Sequence, residues 1–386
     1  MENKRTMMLP GPVDVPHKAL IASAQEMIGH RTKDCERLVA EVSEGLKYVF
    51  QTENDVLTLT CSGTGGLEAS LANTLSKGDK VLSLSTGAFG DRYAKIAERY
   101  GLEVDKIDFT WGEAIDLEQV EEKLAQAGSG EYGAILMTHN ETSTGVINHP
   151  ARVGKLARKY DTLLFIDAVS SLGGIELKTD EWGADIVVTS SQKALMTPPG
   201  LALVSVSERA FAATKDSDLP TFYWDFNRAR RFLHERPNQT PSTPAITTLY
   251  ALREVLRQIK EEGLENVFKR HEILARSFRA AMRALGLELL VDDEIASKTV
   301  TAVKLPEGIE YETLKNKLLE QHNVYITGSK GHLKGKVFRV GHMGQVSRND
   351  ILSAISAIEL VLAEEGLDIE LGTALKAAQK IFREEK

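Results

Sequence analysis

The sequence predicts an α/β protein in which a mostly parallel, seven-stranded sheet is flanked by helices and followed by a smaller α+β domain. The first observation is that two kinds of segment alternate from about residue 55 to residue 207. Short runs rich in β-branched residues are followed by segments that carry apolar residues every three or four positions. Such alternation is typical of βαβ units around a parallel sheet. The second observation is that the strand segments are apolar almost throughout, as expected when helices cover both faces of a sheet.

The elements of the first part follow in order along the chain. Helical patterns such as Phe89–Tyr100 and Ala151–Tyr160 lie between most of the strands, and their apolar side chains share one face. The predicted strands are Val56–Cys61, Lys80–Thr86, Val104–Phe109, Ala134–His139, Leu163–Val169, Asp185–Ser190 and Leu201–Ser207.

The alternation of strands and helices ends near residue 243, where two long helical patterns, Thr243–Glu262 and Leu264–Leu285, are separated by Gly263. Shorter elements follow. The predicted extended segments are Thr299–Leu305, Val324–Thr327 and Lys336–His342, and the predicted helices are Tyr311–His322 and Asp350–Glu365. We therefore expect an N-terminal arm (residues 1–15), a large domain (16–262) and a small C-terminal domain (263–386).

The composition excludes several classes of function. The 386 residues carry 47 Lys and Arg against 55 Asp and Glu, a net charge of −8, which disfavours binding to a phosphate backbone, so no nucleic acid partner is expected. No apolar run reaches the roughly 18 residues of a membrane span. The two cysteines, Cys35 and Cys61, lack metal-ligand spacing, and no histidines complete a ligand set, so we expect no metal site and a cytoplasmic location.

A glycine-rich segment, Ser62-Gly63-Thr64-Gly65-Gly66, follows the first strand and opens a helical run at Leu67–Leu75. Glycines allow the backbone to approach a ligand, and free amides at a helix start can hold a phosphate. The segment is neither a Walker loop nor GxGxxG, because no Gly-Lys-Ser/Thr follows and Glu68 replaces the third glycine. The alternative is a turn that binds nothing.

Two charged residues also lie at strand ends. Asp167 ends the apolar segment LLFIDAV, where open α/β sheets bind ligands, although a capping or ion-pair role is the alternative. Lys193 follows another buried strand in an apolar, small-residue setting that would lower the pKa of its amine and favour a nucleophile. A surface lysine is the alternative there. The motif Ser190-Ser191-Gln192-Lys193 also matches S-x-x-K of acyl enzymes, but the companion Lys-Thr-Gly is missing.

Together, a phosphate cradle, a carboxylate and an activated lysine at the strand ends of one sheet are the three anchors that pyridoxal phosphate requires. The carboxylate would keep the pyridine nitrogen protonated, so that the ring can withdraw electrons. The sequence therefore predicts a pyridoxal-phosphate enzyme.

At these motifs the chain resembles the class V aminotransferases of pyridoxal-phosphate fold type I, and within them the alanine–glyoxylate and serine–pyruvate aminotransferase group. The resemblance covers nearly the whole chain. The matching segments are Leu9-Pro10-Gly11-Pro12, Ser62–Gly66, Thr138–Gly145, Phe165–Gly174, Ser190–Gly200, Phe222-Tyr223 and Gly335–Gly341.

The resemblance implies a role for each matching residue at the cofactor. Lys193 would form the Schiff base, and Asp167 would pair with the pyridine nitrogen. Phe89 would stack on the ring in the place of a Trp in close relatives, and Thr142 would lie near the phenolic oxygen. The phosphate would be held by Ser62, Gly63, Thr64 and Gln192.

The resemblance also implies substrate and subunit contacts. Arg339 would bind the substrate carboxylate, a task that suits a planar bidentate donor, with Gly11 as a further substrate-binding residue. Thr243 matches a residue that reaches the phosphate of a neighbouring subunit, and Thr240 stands where the animal enzymes carry Tyr. We therefore expect a homodimer with active sites at the subunit interface.

The expected activity is transfer of an amino group from serine or alanine to glyoxylate or pyruvate by ping-pong kinetics. A cysteine desulfurase would need a cysteine downstream of Lys193, and none follows Cys61. Phosphoserine or aminoethylphosphonate transamination is the closer rival, because His30-Arg31 or Arg228-Arg230-Arg231 could supply extra cations. The Gly/Lys-rich loop 328–336 is either a solvated loop or a mobile flap beside a ligand.

Overall fold

The computed structural model describes residues 5–236 and 238–385. Its strands are β1 (Thr6–Met7), β2 (Asp55–Leu59), β3 (Lys80–Ser85), β4 (Glu103–Asp108), β5 (Ala134–Thr138), β6 (Asn140–Glu141), β7 (Val146–Ile147), β8 (Leu163–Asp167), β9 (Ile186–Ser190), β10 (Ala202–Val206), β11 (Val300–Lys304), β12 (Val324–Tyr325), β13 (Thr327–Gly328) and β14 (Val337–Gly341). Its α-helices are α1 (His17–Ser23), α2 (Lys33–Phe50), α3 (Gly63–Thr74), α4 (Ala88–Arg99), α5 (Leu117–Ala127), α6 (Pro150–Lys159), α7 (Glu208–Ala213), α8 (Phe226–His234), α9 (Ile246–Glu262), α10 (Leu264–Ala284), α11 (Tyr311–His322), α12 (Arg348–Glu364) and α13 (Thr373–Glu384).

A seven-stranded sheet in the order β2-β10-β9-β8-β5-β3-β4 forms the centre of the molecule, which confirms the predicted α/β class. All pairs in this sheet are parallel except those of β10, which runs antiparallel to both β2 and β9. The strands β5, β8, β9 and β10 are buried along their whole length, because helices cover both faces of the sheet.

The carboxyl ends of β2, β3, β5, β8 and β9 meet at one edge of this sheet, since these strands share a direction. The segments that leave this edge contain the residues that the sequence singles out, from Ser62 after β2 to Lys193 after β9. Ligands of open α/β sheets bind outside this edge. The topology therefore brings distant parts of the chain to one place.

A second hydrophobic core lies between α10, α11, α12, α13 and the antiparallel sheet β11-β14-β13. Met8 of the N-terminal segment is fully buried in this core, and β1 pairs with β12 in parallel. The N-terminal segment therefore packs against C-terminal elements, although it precedes the large sheet in the chain.

Three local features differ from the sequence expectations. Helix α9 begins at Ile246 rather than Thr243, because Pro244 disfavours helical backbone at the residue before it. Helix α3 begins at Gly63 rather than Leu67, so the glycine-rich segment forms its first turn. Helix α13 was not predicted, although Ala374, Ala378 and Phe382 recur at helical spacing and are buried. Among the described residues, no helix has the length and apolar character needed to cross a bilayer.

Candidate active site

A cavity at the carboxyl edge of the large sheet contains most of the predicted site residues. It holds about 570 Å³ of empty space, part of which is open solvent. The predicted residues that line it are Ser62, Gly63, Thr64, Phe89, Thr142, Asp167, Gln192 and Lys193. Leu67, Arg92, Asn140, Val169, Ser170 and Ser190 complete the lining.

Asp167 is the last residue of β8 and is only 4% exposed. Its carboxylate accepts one hydrogen bond from the described chain, from the backbone N–H of Val169 at 2.9 Å. Burial raises the pKa of Asp167 to about 6, because a charged carboxylate is poorly solvated there. The carboxylate therefore retains capacity for a cationic or N–H partner from a ligand.

Lys193 follows β9 and extends toward the N-terminal segment. Its amine donates a hydrogen bond to the carbonyl oxygen of Pro10 at 2.6 Å. Burial lowers the pKa of Lys193 to about 8, although the negative charge of Asp167 opposes the shift. A large fraction of the amine is therefore neutral near pH 8, as a nucleophile or a base requires.

Gly11 is in contact with this lysine. Its φ is +95°, and a β-carbon at this position would lie 2.3–2.7 Å from the outer side-chain atoms of Lys193. Glycine is required both for this backbone conformation and for the close approach. The N-terminal segment thus forms one wall beside the amine.

The start of α3 forms an anion cradle. Ser62 is its N-cap, and the first intrahelical bonds run from the N–H groups of Gly65 and Gly66 to the Ser62 carbonyl oxygen, at 2.9 and 3.3 Å. The N–H groups of Gly63 and Thr64 come before these bonds, so they remain available to an anion. The cradle lies in the same cavity as Asp167 and Lys193.

A buried glutamate, Glu141, joins two segments of the cavity wall through hydrogen bonds. One carboxylate oxygen accepts from the backbone N–H and the hydroxyl of Ser143, at 2.9 and 2.6 Å. The other accepts from the N–H groups of Phe89 and Gly90, at 3.0 and 3.1 Å. Glu141 therefore ties the first turn of α4 to the loop that contains Thr142, whose hydroxyl donates to Ser170 at 2.7 Å.

Phe89 presents its ring to two cations. The Arg92 guanidinium carbon lies 4.6 Å from the ring centroid, and the Lys330 amine lies 4.9 Å from it. Both distances are within the range of cation–π contacts. The loop 328–336 therefore reaches the active site through Lys330.

Arg339, in the middle of β14, is 4% exposed. Its Nε and Nη2 groups donate to the carbonyl oxygen of Gly328 at 3.0 and 2.5 Å, and Nη1 donates to that of Thr142 at 2.7 Å. Each terminal nitrogen keeps one free N–H group, so two remain, and a bidentate contact with a carboxylate needs two. Burial lowers the pKa of Arg339 to about 10.

Thr240 and Thr243 lie elsewhere. They line a separate recess with Thr58, Tyr223 and Pro244, so a single chain does not bring them to Lys193.

The arginines of the two cationic clusters, His30-Arg31 and Arg228-Arg230-Arg231, contact other parts of the chain away from the cavity. Arg31 donates to the carbonyl oxygens of Thr240 and Pro241, at 2.6 and 3.3 Å, Arg228 lies over Phe222, and Arg230 pairs with Asp55 and Glu208.

Arg92 and Glu141 were not predicted as site residues, and Lys330 was predicted only as part of the loop 328–336, one alternative for which was a flap beside a ligand. Arg92 lies three residues after Phe89 on α4, so helical spacing could have placed it on the same face. The contact of Lys330 with Phe89 joins segments about 240 residues apart, and no local pattern signals it.

The cavity fits pyridoxal phosphate, which the sequence implies. The cradle can hold a phosphate, Asp167 can pair with a protonated pyridine nitrogen, and Lys193 can react with an aldehyde. Within residues 5–236 and 238–385, the side-chain oxygens Asn140 Oδ1, Ser190 Oγ and Gln192 Oε1 are buried without a hydrogen-bond partner, so a polar ligand can use them. The same part of the chain contains no group of three His, Cys, Asp or Glu residues that could hold a metal ion.

Comparisons with known proteins identify the family of the chain. Residues 16–348 match the sequence model of the family described as aminotransferase class-V. The chain is 41% identical to the soluble hydrogenase 42 kDa subunit of Anabaena cylindrica, over 99% of this chain and 100% of that protein. It is 38% identical to the L-aspartate–glyoxylate aminotransferase of Paracoccus denitrificans, over 100% and 98% of the two chains.

A solved structure leads to the same family. The ureidoglycine–glyoxylate aminotransferase from Bacillus subtilis superposes with a TM-score of 0.93 at 33% identity, over 99% of both chains. The chain therefore belongs to the class V aminotransferase family, whose members are pyridoxal-phosphate-dependent enzymes of fold type I.

Proposed function

We propose that this aminotransferase moves an amino group from a small amino acid, serine or alanine, to a small 2-oxo acid, glyoxylate or pyruvate. The proposal depends on one observation, that Lys193, Asp167 and the cradle line one cavity. Arg339 donates a hydrogen bond to the carbonyl oxygen of Thr142, which lies in the wall of that cavity. Two of the similar proteins are named for glyoxylate as substrate, which supports this acceptor.

The cofactor supplies an electron-withdrawing ring and an aldehyde that accepts the amino group. Lys193 would bond to this aldehyde, and Asp167 would pair with the pyridine nitrogen. Phe89 would stack on the ring, and Thr142 would lie near the phenolic oxygen. The phosphate would be held by Ser62, Gly63, Thr64 and Gln192, which line the same cavity.

Lys193 would have a second role as a base. Its amine, with a pKa lowered by burial to about 8, would remove the proton from the donor Cα and carry it during the transfer. Arg339 holds the donor carboxylate through its two remaining N–H groups, while Gly11 leaves room for the lysine to move. Release of one oxo acid before the next binds gives ping-pong kinetics.

The active unit that we propose is a homodimer in which Thr240 and Thr243 of one subunit reach the cofactor phosphate of the other. Exposed apolar side chains support this assembly, because soluble proteins rarely leave them in groups without a partner. Phe222 is 79% exposed and Tyr223, in the recess with Thr240 and Thr243, is 50% exposed. We further propose the division into an arm (1–15), a large domain (16–262) and a small domain (263–386).

The cysteines support a cytoplasmic location. Cys35 and Cys61 are both free, as a reducing compartment allows. Burial raises the pKa of both thiols, that of Cys61 to about 11, so neither is an activated nucleophile.

The test is a half-reaction screen on the purified holoenzyme. Each donor is added without acceptor and the visible absorbance of the cofactor is followed; glyoxylate, pyruvate or 2-oxoglutarate is then added. We expect serine or alanine to change the absorbance and glyoxylate or pyruvate to restore it. A protein that binds no pyridoxal phosphate, or whose absorbance responds to no amino donor, would refute the proposal. Sedimentation analysis of the same sample tests the dimer.

A further inference from the structure

We propose that Lys330 and Arg92 form a second anion subsite beside Arg339, which receives an acidic side chain of the amino donor or of the oxo acid. The inference rests on the proposed function, because Arg339 must hold the α-carboxylate for a second anion to be placed. It extends the substrate class from neutral amino acids to those with a side-chain carboxylate or phosphate.

The first observation is the position of the two cations. Both lie over the ring of Phe89, with Arg92 at 4.6 Å and Lys330 at 4.9 Å from its centroid. Phe89 and Arg92 line the cavity that contains Lys193. The aromatic ring thus carries two positive charges beside the cavity.

The second observation is that neither cation is in direct contact with a carboxylate, although Asp167 acts on Arg92 and Glu141 acts on Lys330 at longer range. Among residues 5–236 and 238–385, neither Lys330 nor Arg92 forms a salt bridge, whereas 29 Lys, Arg or His to carboxylate contacts occur elsewhere; Arg339, too, donates only to backbone carbonyls. The nearby Glu141 is fully buried, and both its oxygens already accept two hydrogen bonds each. In a protein with a net charge of −8, this cluster is locally cationic.

The charges act on one another and on the reacting lysine. Partial burial and the positive charges of Arg92 and Arg339 lower the pKa of Lys330. The charges of Arg339, Arg92 and Lys330 also contribute to the lowered pKa of Lys193. An anion bound between them would relieve this repulsion, so the site favours a substrate with more than one negative charge.

The third observation is that the loop carrying Lys330 is anchored on both sides of that residue. The Ser329 hydroxyl donates to the carbonyl oxygen of Ser143 at 2.6 Å, and the His332 ring packs on Trp111 with centroids 4.5 Å apart. Gly328, at the start of the loop, accepts from Arg339. Lys330 is therefore held near Arg339, although its side chain is exposed.

The experiment compares donors with and without a second anion on the holoenzyme. We would measure kcat/KM for L-aspartate, O-phosphoserine and L-alanine in the wild type, Lys330→Met, Lys330→Arg and Lys334→Met. Lys334 is an exposed lysine on the same loop and serves as the control. We expect Lys330→Met to lower the ratio of an acidic donor to alanine about tenfold, and Lys330→Arg and Lys334→Met to preserve it. The donor whose ratio falls distinguishes a carboxylate from a phosphate.

A binding measurement separates this proposal from the function on which it rests. Succinate and propionate, which cannot be transaminated, differ by one carboxylate. We expect the holoenzyme to bind succinate about tenfold more tightly by calorimetry, and Lys330→Met to abolish the difference. Equal binding of the two acids, or a donor ratio that Lys330→Met leaves unchanged, would overturn the subsite. If no donor were turned over but succinate bound as expected, the proposed function would fail and the subsite would stand.

Discussion

The floor and the rim of the active site are built in different ways. The floor consists of Asp167, Lys193 and the cradle at Ser62–Thr64, each at the carboxyl end of a strand of one sheet. The rim consists of Phe89 and Arg92 on α4, Lys330 on the loop 328–336 and Arg339 on β14. The floor therefore depends on one element of structure, whereas the rim joins segments that belong to two different hydrophobic cores.

The two regions also differ in charge. The floor combines the carboxylate of Asp167 with the amine of Lys193, and burial is the main cause of the raised pKa of the first and the lowered pKa of the second. The rim holds the cations Arg92, Lys330 and Arg339; burial is also the main cause of the lowered pKa of Lys330, and the charges of Arg92 and Arg339 add to it. We infer that the floor provides the reaction chemistry, while the rim selects among substrates by charge.

The largest effect should come from the floor. Replacing Lys193 with Ala removes the amine that we propose both bonds to the cofactor and moves the Cα proton. We expect kcat to fall by at least about 10²–10⁴-fold, the usual contribution of a positioned base. The measurement is steady-state transamination of the best donor, with Lys155→Ala, an exposed lysine on α6, as control. Normal turnover by the Lys193 variant would show that the floor has been misassigned.

Replacing Asp167 with Asn should produce the next largest effect, because Asn cannot stabilise a protonated pyridine nitrogen through charge. We expect kcat to fall about 10²-fold with a smaller change in KM, as for the loss of one preorganised electrostatic group. The donor screen measures it, with the exposed Asp368→Asn as control. A loss of activity confined to KM would argue that Asp167 contacts the substrate rather than the cofactor.

The same variant has a second, independent signature in the pH dependence of apoenzyme stability. The carboxyl pKa rises from 3.8 to about 6 on folding, so the folded state binds the proton more tightly than the unfolded state. The stability of the wild type should therefore fall as pH increases from about 4 to about 6, by as much as about 3 kcal/mol relative to Asp167→Asn. Thermal unfolding of both proteins across this range measures the difference. Parallel curves would mean that Asp167 is solvated in the apoenzyme.

The floor could be predicted from sequence because its signals are local. The apolar runs locate the strands, and a polar residue just beyond such a run, such as Asp167, must lie at the ligand-binding edge of the sheet. The same reasoning located Lys193 and the cradle. The start of α3 was wrong, because the glycines appeared to precede the helix rather than form its first turn. The strands β2 and β8 also end two residues earlier than predicted, at Leu59 and Asp167.

The rim could not be predicted in this way because its contacts are tertiary. Lys330 reaches Phe89 only because β13 and β14 carry the loop 328–336 across the edge of the large sheet. Glu141 meets the first turn of α4 through hydrogen bonds that no spacing in the sequence indicates. The family resemblance supplied Arg339 and Phe89, but it gave no indication of the cations around the ring.

Glu141 offers a way to disturb the rim while leaving the floor in place. In Glu141→Gln, one carboxylate oxygen becomes an NH₂ group, so at least one buried N–H of Ser143, Phe89 or Gly90 loses its acceptor. We expect a loss of about 1–3 kcal/mol in stability and a rise in KM of up to about tenfold, with a smaller change in kcat. Thermal unfolding and steady-state kinetics measure these effects, and the exposed Glu113→Gln is the control. A fall in kcat alone would place Glu141 with the floor.

The smallest effect should come from Phe89 itself. Phe89→Leu keeps an apolar side chain but removes the aromatic ring on which we propose the cofactor stacks and over which two cations lie. Stacking of this kind contributes about 0.5–1.5 kcal/mol, so the Kd of the apoenzyme for pyridoxal phosphate should rise about 2–10-fold, and Phe89→Trp should lower it. Titration of the apoenzyme measures both. Phe232→Leu is the matched control, because Phe232 is also half-buried beneath an arginine, Arg31, but lies on α8 outside the cavity. If Phe89→Leu bound the cofactor as tightly as the wild type, the ring would serve only to hold Arg92 and Lys330, and the rim would act on the substrate alone.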